Sequence, residues 1–389
     1  MAKFMPLSLN FLITFLILLQ SANAAYNVVS FGAKPDGHTD STPSFLEAWT
    51  MACSSVHPAT LYVPHGTFLV KTAVFSGPCK FKVTVIITGT LVAPSNYQVI
   101  GQTGFWIKFI NVSGLSIYGG TLNAMGTSFW ACRTTGSNCP TGSRSLSILS
   151  STNVLLSGLT SINSQTEHIG IDLCSNVLIR NLKAFASSQS LNTDGIHVQS
   201  STGITIIGSV IRTGDDCISI GPGNRNVWIQ QTACGPGHGI SIGSLGNNAN
   251  EDGVQNVTVT GAVFTGTLNG VRIKSWGRQS NGFARSITFQ NIVMKDVYNP
   301  IIIDQKYCPS GKNCPNQNSG VKISQVTYSN IKGTSSKQEA VTFNCSPSNP
   351  CTGITMKQIH ITFQNKATTS SCHYAGGTSS GVLIPASCL

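Results

Sequence analysis

Three carboxylates and a histidine recur in one register. The segments are Asn192-Thr193-Asp194-Gly195-Ile196-His197-Val198, then Gly214-Asp215-Asp216-Cys217-Ile218-Ser219-Ile220, then Gly237-His238-Gly239-Ile240-Ser241-Ile242. Aligned on their apolar pairs, Ile196, Ile218 and Ile240 are 22 residues apart each time, and Asp194, Asp216 and His238 all stand two places before them. Asp215 lies beside Asp216. If each repeat is one coil of a solenoid, neighbouring strands are about 4.7–4.9 Å apart, and the four groups form a ladder on one face. The chain has only 13 acidic residues in 389, so three of them on one patch mark a site. Crowded carboxylates raise the pKa of one member, which stays protonated beside an ionised neighbour. That pairing suits hydrolysis of a glycosidic bond, one acid donating to the leaving oxygen and one base activating water. Carboxylates on adjacent coils leave room for that water, and favour inversion of configuration if their separations reach about 6.5–9.5 Å.

A second patch extends the ladder. In Val271-Arg272-Ile273-Lys274, alternation puts Val271 and Ile273 in the core and turns Arg272 and Lys274 outward. Gln305 and Tyr307 follow one coil later on the same expected face. A cation pair beside carboxylates can hold a negatively charged substrate that those carboxylates would repel. The same alternation would turn Asp194, Asp216 and His238 inward with the isoleucines. A bend is therefore required just before each strand, at Gly195, Cys217 and Gly239.

The elements that position these groups are short strands in two interleaved series. Asn153-Val-Leu-Leu, Asn176-Val-Leu-Ile, Gly203-Ile-Thr-Ile, Asn226-Val-Trp-Ile, Asn256-Val-Thr-Val and Ser286-Ile-Thr-Phe form one series. Ile169–Ile171, Ile196–Val198, Ile218–Ile220, Ile240–Ile242, Val271–Ile273 and Ile301–Ile303 form the other. Two series at this period predict an all-β, single-domain parallel β-helix whose coils stack strand on strand. Hairpin spacing and paired turn dipeptides are missing from the pattern, which argues against a sandwich. A strand from Tyr26 to Ala33, a turn and a helix over Thr42–Cys53 open the mature chain. Phe45, Leu46, Trp49 and Ala52 share one face of that helix, as a cap on the first coil needs. The Cys/Pro/Ser-rich tail after Cys345 is expected to close the far end.

Composition fixes the setting. Charged residues are 10% of the chain, against roughly 25% in ordinary soluble proteins, and the net charge is +11. A basic balance suits an acidic partner. No Lys/Arg run is interleaved with aromatics, so nucleic acid is not the expected partner. Residues 1–24 carry Lys3, an apolar core from Phe11 to Leu19 and the small residues Ser21–Ala24. They read as a signal peptide, with the catalytic domain over 25–389. No later stretch approaches the roughly 20 apolar residues of a membrane span, so no membrane association is expected. Sequons stand at Asn111, Asn256 and Asn344. Local spacing pairs Cys53 with Cys79, Cys132 with Cys139, Cys217 with Cys234, Cys308 with Cys314, Cys345 with Cys351 and Cys372 with Cys388. Cys174 is left over in the core. No cysteine or histidine cluster has zinc spacing. The glycine-rich runs Gly221–Gly223 and Gly235–Gly239 lack the following helix of a phosphate loop.

Asn192-Thr193-Asp194-Gly195, Gly214-Asp215-Asp216-Cys217, Gly237-His238-Gly239 and Arg272-Ile273-Lys274, in this order, resemble the four signature motifs of the polygalacturonases. The likeness extends to Phe31-Gly32-Ala33 and Asp36-Gly37, and is closest to the plant pollen-type exopolygalacturonases. It implies a right-handed parallel β-helix that hydrolyses α-1,4-galacturonosyl linkages of pectin with inversion, without a metal or other cofactor. It implies Asp215 as general acid, Asp194 with Asp216 as the water-activating pair, and His238 as a neighbour tuning the acid. Arg272, Lys274, Tyr307 and Asn192 are implied on the substrate side. A monomer secreted to the cell wall, acting on an acidic polysaccharide, follows from the same likeness. Asn123-Ala124 departs from the Asp-Gly of many relatives and bears on end-on or mid-chain attack. The rival readings are an endo-acting enzyme, a pectate or rhamnogalacturonan lyase, and a non-catalytic wall-binding protein. A lyase would need an acidic calcium cluster and an arginine or lysine base.

Overall fold

The computed structural model describes residues 24–136 and 138–389; apart from Ala24, the expected leader falls outside them. The central coils carry three strands, as in Ile196–Gln199, Thr202–Ile207 and Val210–Arg212, and in the later coils the second and third run together, as in Phe283–Val297. The first strand of every coil joins one 11-stranded sheet, and the second and third build a 23-stranded one. Pairing is parallel from coil to coil, giving a right-handed parallel β-helix.

Register follows the apolar positions. Ile169, Ile196, Ile218, Ile240, Val271, Ile301 and Val341 are successive partners. All of them are fully buried. Val154, Val177, Ile204, Val227, Val257 and Ile287 form the matching stack on the other sheet. Full burial of such a side chain contributes about 1.5–3 kcal/mol, and a one-residue slip would turn a whole stack to solvent. That penalty also fixes the rungs of the ladder.

Corners between strands need left-handed backbone, and asparagine tolerates it. Asn153, Asn176, Asn226 and Asn256 occupy one such corner at φ 54°, 55°, 56° and 55°. The Asn256 amide donates to Asn226 Oδ1 at 2.6 Å.

The helix Thr42–Ser54 covers the first coil, burying Phe45, Ala48, Trp49 and Ala52; Leu46 is half-buried. Trp49 packs edge-on against Phe75 and Phe109 at 5.5 and 5.3 Å. Two expectations change. The opening strand is only Ala24–Asn27, because Asn27 caps a 3-10 turn over Val28–Phe31 that ends at left-handed Gly32. The tail after Cys345 continues the solenoid, with Cys351–Phe363 pairing parallel to Ala375–Ile384. All six expected disulfides form, and Cys174 is free and buried. No helix among the described residues is long and apolar enough to cross a membrane.

Candidate active site

The turns preceding the 11-stranded sheet are themselves in register. The amides of His168, Gly195 and Cys217 donate to the carbonyls of Asp194, Asp216 and Gly239 at 2.8, 2.9 and 2.8 Å. Asp194 and Asp216 therefore stand in one column. The Cys217 bond passes to Gly239 rather than His238, and His238 turns to Asp215, its amide donating to the Asp215 carbonyl at 2.8 Å. The bends lie where alternation required them. Cys217 and Ile218 are consecutive yet both fully buried, and Cys217 is tied inward to Cys234, so Asp216 comes round to the outer face. A Cβ on Gly195 would lie 2.4 Å from Ile211 Cγ2, and one on Gly239, at φ 86°, would lie 2.2 Å from the Asn269 carbonyl oxygen. Neither turn has room for a side chain.

Asp216 is 1% exposed. Its Oδ1 accepts from Arg272 Nη2 at 2.7 Å and from Ser241 Oγ at 2.9 Å, and its Oδ2 accepts from Lys274 Nζ at 2.7 Å. Burial alone would raise this carboxyl, but Lys274 and then Arg272 outweigh it and hold it below the usual carboxylate range. Asp194 has the opposite environment. Burial, then the charges of Asp215, Asp216 and Glu167, push its carboxyl well above that range, with Lys274 opposing. Ser219 Oγ lies 2.5 Å from Asp194 Oδ2.

Asp215 sits beside the column. Its Oδ1 accepts from the Asp216 amide at 2.8 Å and lies 2.9 Å from His238 Nδ1. Its Oδ2 accepts from the Asn192 amide at 3.1 Å and side chain at 3.4 Å. Asn192, placed on the substrate side by the resemblance, thus also orients Asp215.

Arg272 and Lys274 face outward as alternation requires, but are only 8% and 6% exposed, being drawn onto Asp216. Tyr307 covers them, with Lys274 Nζ 4.9 Å and Arg272 Cζ 5.7 Å from its ring centroid. Gln305 does not join this face. It is fully buried, donating to the Val321 carbonyl at 2.8 Å and accepting from the Ser346 amide at 2.9 Å. It shares the inward parity of Ile301 and Ile303, and a register shift then pairs Tyr307 with Trp276 and returns the tyrosine outward.

The sequence reading missed one member of the column. Glu167 stands two places before Ile169, the strand partner of Ile196, and so extends the ladder by one coil. It pairs with Arg144 Nε at 3.3 Å, while Arg144 Nη1 reaches Asp172 at 2.6 Å. The signal was the shared offset from an apolar pair; the longer coil hid it. His197, Ser219 and Ser241 carry no such signal, each standing singly between apolar positions.

Asp215, Asp216 and His238 bring potential ligand atoms within 4.8 Å of one another. Both Asp216 oxygens are already engaged by cations, so a metal there would be repelled by Arg272 and Lys274. The donor set does not fit a metal centre.

A parallel β-helix with acidic groups on successive rungs of one face defines a polysaccharide-processing enzyme. Residues 53–383 match Glycosyl hydrolases family 28, and the chain belongs to that family. It is a glycoside hydrolase. A polygalacturonase of Prunus persica is 54% identical over 380 residues, covering 96% of this chain and 97% of that one. An exopolygalacturonase of Platanus acerifolia is 39% identical over 95% of this chain and 98% of its own. The exopolygalacturonase of Thermotoga maritima has the same fold, with TM-score 0.76 at 19% identity over 92% of this chain and 90% of that one.

Proposed function

We propose that the protein hydrolyses α-1,4-galacturonosyl linkages of pectin by a single inverting displacement. The observation carrying this reading is the column of Asp194 and Asp216, with Asp215 and its partner His238 beside it and two cations bound to Asp216. Asp215 gives its proton to the glycosidic oxygen as the bond to the anomeric carbon breaks. Water attacks that carbon from the opposite face and loses a proton to the Asp194/Asp216 pair. His238 tunes and orients Asp215, with Asn192 holding the other oxygen. Arg272 and Lys274, under Tyr307, keep Asp216 ionised and provide positive charge for a galacturonate carboxylate.

Attack from chain ends is the mode we favour, supported by the plant exopolygalacturonase relatives. Six disulfides suit the oxidising route that a leader over 1–24 implies, and we place the enzyme in the cell wall as a monomer. Digestion of a long oligogalacturonide tests the reading. Galacturonate monomer released as the β-anomer is expected; retained configuration refutes the mechanism, and a ladder of sizes refutes end attack.

The raised carboxyl of Asp194 favours one other division of labour, in which Asp194 is the acid. An aryl α-galacturonide with a good leaving group separates the two. Activity regained by Asp215→Asn supports Asp215 as acid; activity regained by Asp194→Asn reverses the roles.

A further inference from the structure

Behind Asp194 runs a chain of polar groups that the displacement itself does not use. Ser219 Oγ touches Asp194 Oδ2 and also lies 2.7 Å from His197 Nδ1. His197 Nε2 lies 3.3 Å from Gln199 Oε1. His197 projects outward from the strand Ile196–Gln199, between Gly170 and Ser219 on the neighbouring strands. Gly221 leaves room beside the ring, where a Cβ would lie 3.4 Å from its Cε1.

A hydroxyl has one proton, and that fixes the directions of these bonds. With Gln199 Oε1 accepting from Nε2–H, two arrangements remain. In the first, Nδ1 is bare and accepts from the Ser219 hydroxyl, and Asp194 carries a proton that it donates to Ser219 Oγ. In the second, Nδ1–H donates to Ser219, whose hydroxyl donates to an ionised Asp194. The two differ by a concerted shift: the Asp194 proton moves to Ser219 Oγ as the Ser219 proton moves to His197 Nδ1. No atom is gained or lost.

We propose that Asp194, Ser219 and His197 form a proton relay, in which His197 holds the proton while Asp194 stands ionised to receive one from water. The proposal rests on the reading of Asp194 as a water-activating carboxylate. It resolves a difficulty in that reading, because a carboxyl pushed up by burial and by three like charges keeps its own proton and cannot accept one from water unless that proton is held elsewhere. The charged groups facing His197 are Glu167, Asp172 and Arg144. Burial holds the imidazole below its ordinary value, with Glu167 and Asp172 acting to raise it and Arg144 to lower it, so the proton reaches His197 only with those two carboxylates as counter-charge. The Glu167 rung thus has a role as counter-charge to the relayed proton. Proton and carboxylate titrate as a pair, so the acid limb of kcat belongs to the relay as a whole.

The pH profile of kcat tests this. In His197→Gln and Ser219→Ala, the acid limb should move to higher pH, with kcat on that limb falling about tenfold and the plateau little changed. Ser219→Thr, which keeps the hydroxyl, should leave the limb in place. In the parent enzyme, nitrogen NMR should show His197 Nδ1 gaining and losing its proton in step with that limb. A uniform loss of kcat across pH, or an Nδ1 that stays bare throughout, overturns the relay. If Asp194→Asn keeps its activity, the underlying assignment of the base fails. A dead Asp194→Asn with an unmoved limb in His197→Gln sinks the relay alone.

Discussion

Replacing Asp216 with asparagine removes the negative charge on which both Arg272 and Lys274 rest, at 2.7 Å each. All three side chains are almost wholly withdrawn from water, so the variant leaves two neighbouring cations buried and uncompensated. Removing one partner of a buried pair costs about 3–5 kcal/mol. That is a large part of the 5–15 kcal/mol by which folded proteins exceed their unfolded chains. The measurement is the denaturant midpoint, with hydrogen exchange at the amides of strand Asn269–Trp276 to report local opening, since repeat folds need not unfold as one unit. Two further readings isolate the cause. Adding Lys274→Met should recover part of the loss, through a coupling of about 0.5–3 kcal/mol. Because the Asp216 carboxyl is held below its ordinary value, its contribution is present above pH ~4 and disappears as pH falls through the lowered value. The gap between parent and variant should therefore close in strong acid. An Asp216→Asn protein as stable as the parent at pH 7, or one unaffected by Lys274→Met, would refute the reasoning.

Asp194→Asn should lower kcat at least 100-fold yet raise stability near neutrality. The folded-state carboxyl is raised, so the parent loses stability as pH climbs through that value, and the advantage of the variant should vanish below pH ~4 in urea titrations. Arg272→Ala and Lys274→Ala should weaken action on polygalacturonate far more than on fully methyl-esterified pectin; equal losses would mean that these cations do not read the carboxylate. Activity should survive chelators, and products absorbing as unsaturated uronides would point to a lyase instead.

The solenoid was legible because its stacks are written in single residue types. Ile196, Ile218 and Ile240 fix the period, and the period places Asp194 and Asp216 on one column with His238 close by. Even the bends followed, since alternation and an outward site could not both hold at Cys217. Other features needed three dimensions. Alternation gives the face of Arg272 and Lys274 but not their partner, and Asp216 captures both. Gln305 has inward parity, a fact masked by its nearness to Tyr307. The contact of Ser219 with His197 and Asp194 crosses from coil to coil, so residues far apart in the chain meet without a local motif. Glu167 was hidden by the longer step to the next rung. The tail lacked the Ile/Val density of the central coils, yet it forms strands because its neighbours supply a template.

The unpaired thiol of Cys174 lies against the carbonyls of Ile148 and Asp172, and burial pushes it up to about 11. Exchange with a disulfide requires thiolate, so in the native protein this sulfur is inert. Once the solenoid opens, it regains ordinary reactivity amid six bridges, where a single nucleophile can scramble all of them. Heat inactivation should then be irreversible at neutral and alkaline pH, its rate set by how often the coils part. Cys174→Ala should recover more activity after a heating and cooling cycle than the parent, and an equal recovery would show that shuffling does not govern the loss.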